Sequence, residues 1–175
     1  TAFFAEKDEL NLYQAFINHL LEKKPYTLST EVEATLATIS EVLEAPFMIY
    51  QRTKASDMTF APIQDADGNE LPMSFNLYED KYELSPDTTI RRRAYDSFIQ
   101  TLDRYKHTFA GTYATEVTKQ VRLAQLRGYE SVTEMLLHPQ QVSLEMYHNQ
   151  LDVIQEELAP HMRRHARLLK QQLGV

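Results

Sequence analysis

Between Asp8 and Lys23 the apolar residues Leu10, Tyr13, Phe16, Ile17, Leu20 and Leu21 recur at helical intervals. That spacing predicts a helix with one buried stripe. Pro25 ends it, because the residue before a proline is pushed out of helical dihedrals. Thr30 followed by Glu33 fits a capping box, and Val32, Leu36, Ile39, Val42 and Leu43 predict the apolar face of a second helix. Ala45-Pro46 is expected to close it, with Pro46 opening a short third helix from Phe47 to Ala55.

The period then changes. Met58 to Ile63 is β-prone, Asp65-Ala66-Asp67-Gly68-Asn69 is rich in turn formers, and Glu70 to Met73 is a second extended piece. This predicts one β-hairpin, with a short, edge-like ladder because Pro62 and Pro72 lack a backbone donor. Ser85-Pro86 is expected to start the longest element, Ser85 capping it. Ile90, Tyr95, Phe98, Leu102, Tyr105, Phe109, Tyr113, Val117, Val121 and Ala124 continue a stripe to Gly128, a natural stop. Pro86 to Arg127 would extend roughly 60 Å at 1.5 Å per residue, with Gly111 its weak point. A short helix follows from Ser131 to Leu137. Ser143 caps a last long helix with Leu144, Tyr147, Leu151, Ile154, Leu158, Met162, His165 and Leu169 on one face, bent at Pro160. The fold class read from these patterns is mainly α, a long-helix bundle with one small β-hairpin over about residues 58–73.

Composition narrows the function classes. The 175 residues include no cysteine, which excludes disulfides and thiolate metal sites and suits a reducing, cytoplasmic location. No apolar run approaches the roughly 20 residues of a membrane span, so no membrane partner is expected. The first residues lack the features of a signal peptide, and without an initiator methionine the chain reads as processed or excised from something longer. A net charge of −7 argues against nucleic acid as a partner. The charge is uneven: residues 1–85 hold 15 acids against 6 bases, and residues 86–175 hold 10 against 12. Two sub-regions that neutralise each other, or one face that steers charged ligands, would both produce that asymmetry.

Candidate chemistry is sparse. His161 and His165 have the histidine spacing of a zinc peptidase helix, with Glu157 one turn earlier. A glutamate must follow the first histidine to act as base, and here Met162 stands there with Arg163 and Arg164, which would repel a cation. No metal ligand and no catalytic residue is assigned. His19, His107, His138 and His148 are scattered singly. The Asp65-Ala66-Asp67-Gly68 turn has the wrong glycine and glutamate positions for a calcium loop and reads as a plain hairpin turn. Arg91-Arg92-Arg93 spreads around a helix and reads as a solvated stretch with partial ion pairing. Most of the ten tyrosines are expected in the core or in helix contacts.

The string as a whole resembles the oligoendopeptidase F family of zinc metallopeptidases. Leu28-Ser29 with Glu31 and Glu33, then Ile39 to Leu43 with Ala45-Pro46, is similar to the segment before that family's catalytic domain. Phe60 to Glu70 resembles its Phe-Pro-x-Ile-x-Asp-x-Asp-Gly-x-Glu stretch. Arg91 to Tyr95, Tyr105 to Ala110 and Glu145 to Leu151 resemble further pieces in the same order. Tyr26 stands where the family pattern would put histidine.

The resemblance implies a non-catalytic N-terminal region over residues 1–75 and the first helices of the peptidase domain over 76–175. It implies a helical, two-lobed parent that hydrolyses short peptides with a zinc held by a His-Glu-x-x-His helix and a later glutamate. That motif is absent from the sequence. The segment is therefore expected to hold no cofactor and to lack activity alone, supplying scaffold and channel wall. Its expected partners are the remainder of the peptidase chain and, in the parent, an oligopeptide substrate. The other reading is a free-standing helical interaction module without enzymatic activity.

Overall fold

The computed structural model describes residues 12–174; the expected start of the first helix, Asp8 to Asn11 with Leu10, lies outside them. Helix α1, Gln14–Lys23, runs into a tight turn, Lys24–Tyr26, that carries Pro25. Its apolar stripe is present but uncovered. Tyr13, Phe16, Leu20 and Leu21 are exposed, and α1 buries no residue, so the expected buried face does not form.

Helix α2, Thr30–Thr38, departs from the expected cap: Ser29, not Thr30, is the residue before the first turn. Glu33 reaches past it to accept a bond from the Leu28 N–H at 3.1 Å, because Arg127 holds its carboxylate from the other side. The next break also moves. It falls at Ile39, whose carbonyl takes the N–H groups of Val42 and Leu43, and helix α3, Ser40–Arg52, runs straight through Pro46. A proline there removes one internal bond and crowds the carbonyl four residues back. Pro46 is buried, and that packing offsets part of the cost. A widened turn, Thr53–Asp57, ends α3.

Strands β1, Ile63–Gln64, and β2, Glu70–Leu71, pair antiparallel with Ile63 opposite Leu71. The ladder is short, as two prolines on its flanks require. Asp65 closes the turn: its Oδ1 accepts from the N–H groups of Asp67 and Asn69, and Gly68 takes φ +84°. A short helix α4, Phe75–Leu77, follows, with Ser74 Oγ accepting from the Leu77 N–H, and then a widened turn, Tyr78–Tyr82. The sequence pattern did not predict either.

Helix α5, Thr88–Arg127, is continuous through Gly111. It begins two residues after the expected start because Asp87, not Ser85, caps it, accepting from the Thr89 N–H at 2.7 Å. Ser85 Oγ instead takes the Asp87 N–H. At the far end Gly128 sits at φ +81°, and the Tyr129 N–H bonds the Ala124 carbonyl, the left-handed termination that glycine favours. Helix α6, Val132–Leu137, is capped by Ser131. Ser143 caps α7, Leu144–Val153, at the Met146 N–H. The expected bend at Pro160 takes the form of a widened turn, Ile154–Leu158, before α8, Ala159–Leu173. Proline cannot donate to the carbonyl four residues back, and one loosened turn absorbs the misfit.

Two compact units emerge from the contacts. Of the described residues, one holds 12–43 with Thr118–Tyr147; the other holds Glu44–Val117 with 148–174. The second unit contains the tightest core, Ile63, Tyr82 and Ala94, with Leu71, Met73, Leu77, Tyr78 and Ile90 packed around it. The Tyr82 hydroxyl is satisfied by the Pro72 carbonyl at 2.9 Å. Phe98 extends this core, stacked on Tyr78 at 4.1 Å and met edge-on by Phe75. Among the described residues no helix is long and apolar enough to cross a membrane.

Candidate functional site

In the second unit, the segment from Asp57 to Asp65 has little backbone pairing of its own, so its carbonyls need donors from elsewhere. Helix α5 supplies them from side chains. Tyr105 Oη donates to the Asp57 carbonyl at 2.6 Å, Arg104 to Thr59 at 3.1 Å and Ser97 Oγ to Ala61 at 2.7 Å. Arg93 donates to the Gln64 and Asp65 carbonyls at 2.6 and 3.0 Å. Arg91 binds the Ser85 carbonyl and Thr88. Two of the three adjacent arginines are thus carbonyl clamps rather than members of a solvated stretch, and Arg92 is exposed.

That clamp fixes one wall of a cleft of about 410 Å³. Gln51 from α3, Lys54 from the widened turn, Met58 and Phe60 from the clamped segment, and Phe75 and Asn76 from α4 line it. Lys54 Nζ lies 3.8 Å from the centre of the Phe75 ring, a cation held over an aromatic face. Phe60 stacks on Phe98 at 5.7 Å, which joins the aromatic lining to the core. A second hollow of about 360 Å³ lies between α3 and the middle of α5, lined by Pro46, Phe47, Tyr50, Phe109 and Tyr113. Its lining is largely apolar.

The first unit is organised around Arg127. Its guanidinium holds Glu33 through two bonds of 2.8 and 3.0 Å and also donates to the Tyr26 carbonyl. The bonds from Arg127, and then from the Leu28 N–H, draw the Glu33 carboxyl down to about 2. Beside the pair, Tyr26 stacks on Tyr129 with centres 3.7 Å apart, and Tyr129 Oη meets His138 Nδ1 at 3.2 Å. Loss of hydration raises the Tyr129 phenol above its ordinary range. These contacts link the Lys24–Tyr26 turn and α2 to the end of α5 and to His138, just after α6.

The histidine pair lies on α8. His161 and His165 are exposed on α8 with Arg163 and Arg164 beside them. No group of three His, Cys, Asp or Glu side chains among the described residues is placed to hold a metal ion. The residues present therefore do not fit the zinc that the resemblance implies for a parent enzyme. Both Asp65 oxygens are engaged by its own turn, Oδ2 by the Asn69 side chain at 3.0 Å. Lys54 and Phe75 went unremarked in the sequence because no periodic pattern links a lysine at a helix end to an aromatic beyond the hairpin.

Residues 1–60 match the family described as Oligopeptidase F. Along 99% of its length the chain is 33% identical to Oligopeptidase PepF of Bacillus subtilis, of which it spans 26%. It is 28% identical to Group B oligopeptidase PepB of Streptococcus agalactiae, spanning 29% of that protein. Its fold superposes on the crystal structure of oligoendopeptidase-F from Enterococcus faecium with a TM-score of 0.84 at 25% identity, covering 99% of this chain and 34% of that one. In sequence and fold the chain is similar to oligopeptidases of the oligoendopeptidase F kind, and it spans roughly a quarter to a third of the length of the relatives it matches.

Proposed function

We propose that the chain acts as the scaffold and channel wall of a longer, cytoplasmic zinc oligopeptidase that hydrolyses short peptides. In this reading residues 1–75 are the N-terminal-type region and residues 76–175 begin the peptidase domain. The zinc ligands and the catalytic carboxylate belong to the remainder of the parent polypeptide, and no residue of this segment is catalytic. The observation that carries the reading is the apolar face of α7, the widened turn and α8. Leu151, Ile154, Leu158 and Met162 are 45%, 45%, 47% and 55% exposed along one continuous run. A contiguous apolar stripe in water marks a surface that another part of a protein covers.

Replacing Leu158 and Met162 together with lysine tests this. In the parent polypeptide the double change should lower the melting temperature by several degrees, since each buried side chain contributes on the order of 1.5–3 kcal/mol. In the 175-residue chain alone it should leave the melting temperature unchanged or higher. Equal loss in both would contradict the reading, as would no loss in the parent.

A further inference from the structure

We propose that the cleft between Lys54 and Phe75 binds the C-terminal carboxylate of a peptide whose last side chain is apolar. The inference rests on the peptidase reading for the choice of ligand, and on geometry for the site itself.

The lining combines the two features such a ligand needs. Its lining is apolar and aromatic at Met58, Phe60 and Phe75, and Lys54, Gln51 and Asn76 add hydrogen-bond donors. The Ser74 oxygen already accepts the Leu77 N–H, so its own hydroxyl hydrogen is available to donate into the cleft. Among the described residues no carboxylate lines the cleft, although the whole chain carries a net charge of −7. Lys54 is half-buried, and its position over the Phe75 ring uses one side of the ammonium group. An ammonium has three donors, so the others remain for an anion. The ring beneath it holds the charge in place before a ligand arrives, which lowers the ordering cost of binding.

Size supports the same occupant. A cleft of about 410 Å³ accommodates one or two residues rather than a long peptide. The Asp57 to Asp65 segment that forms one wall is pinned to α5 at five carbonyls, so that wall is set in advance. A peptide end placed there would have its charge beside Lys54 and its terminal side chain against Phe60 and Met58.

Titration of the ¹⁵N-labelled 175-residue chain tests this, using Ala-Ala-Phe, its C-terminal amide and inorganic phosphate as three separate probes. The free acid should give saturable shifts centred on the amides of Ala55, Ser74, Phe75 and Asn76. The amide should bind roughly tenfold more weakly, the loss expected when one charge-assisted hydrogen bond is removed. Lys54→Gln should weaken the free acid by a similar factor, and Lys54→Arg should keep most of the affinity. Spectra of both variants that match the parent chain outside the cleft would show that the fold is intact. Equal binding of acid and amide, equal shifts with phosphate, shifts centred elsewhere, or no saturable shift would each overturn the proposal. Peptide hydrolysis by the parent polypeptide is read separately. Hydrolysis without acid-over-amide discrimination defeats the site alone, and discrimination without hydrolysis defeats the peptidase reading alone.

Discussion

Glu33 shows how much one side chain can hold. It ties the start of α2 to the end of α5 through Arg127, and the resulting carboxyl titrates at about 2 instead of near 4.5. A carboxyl whose folded value lies below its unfolded value stabilises the native state fully above the unfolded value. That contribution fades as the pH falls from about 4.5 toward 2. The melting temperature of the wild-type chain should therefore drop more steeply across that window than that of Glu33→Gln, whose amide cannot titrate. Parallel pH profiles for the two would show that the pair contributes nothing to folding. The sequence placed Glu33 at a helix start but could not foresee its partner, because the partner lies 94 positions away. The same limit explains Ala94, Ser97 and Thr101. All three are buried on α5, yet the apolar stripe favours Tyr95, which is half exposed. Small residues sit where α5 approaches other backbone, and hydrophobicity alone does not mark them.

At the scale of elements, local chemistry was the most legible. The hairpin, the long helix and its glycine stop followed from turn residues, helical spacing and the Asp67-Gly68 pair. Boundaries shifted where two capping residues competed, as Ser85 and Asp87 do before α5, or where packing let Pro46 remain inside a helix. Two glycines, one inside α5 and one just past its end, offer a paired test. Gly111 lies in the helix interior, and a methyl group added at its Cα would meet nothing within 4 Å, so Gly111→Ala should stabilise the chain by about 0.5–1 kcal/mol. Gly128 has equal space but φ +81°, so Gly128→Ala should destabilise by about 1 kcal/mol from backbone strain alone. Chemical denaturation of the two variants separates conformation from crowding, and shifts of the same sign would contradict it. Leu102→Pro should cost roughly 3 kcal/mol or more, because α5 continues uninterrupted on both sides of that position. A helical signal that survives unchanged by circular dichroism would refute that.

Across the whole molecule, the fold was far more legible than the candidate cleft. Helix-forming composition and colinear resemblance carry the first. The second depends on Lys54 and Phe75, which the hairpin brings together and no local pattern connects. What the sequence lacks is equally informative for its own chemistry: its one i, i+4 histidine pair stands beside two arginines, a setting that disfavours a bound cation. The most direct test compares this 175-residue chain with the longer polypeptide proposed to contain it, in one assay. Both are given a quenched-fluorescent oligopeptide and zinc, with and without a chelator, and their bound zinc is measured. The expected result is stoichiometric zinc and chelator-sensitive cleavage by the longer polypeptide, and neither by this chain. Metal-dependent turnover by the chain alone, or a longer polypeptide whose cleavage ignores the chelator, would contradict the scaffold role.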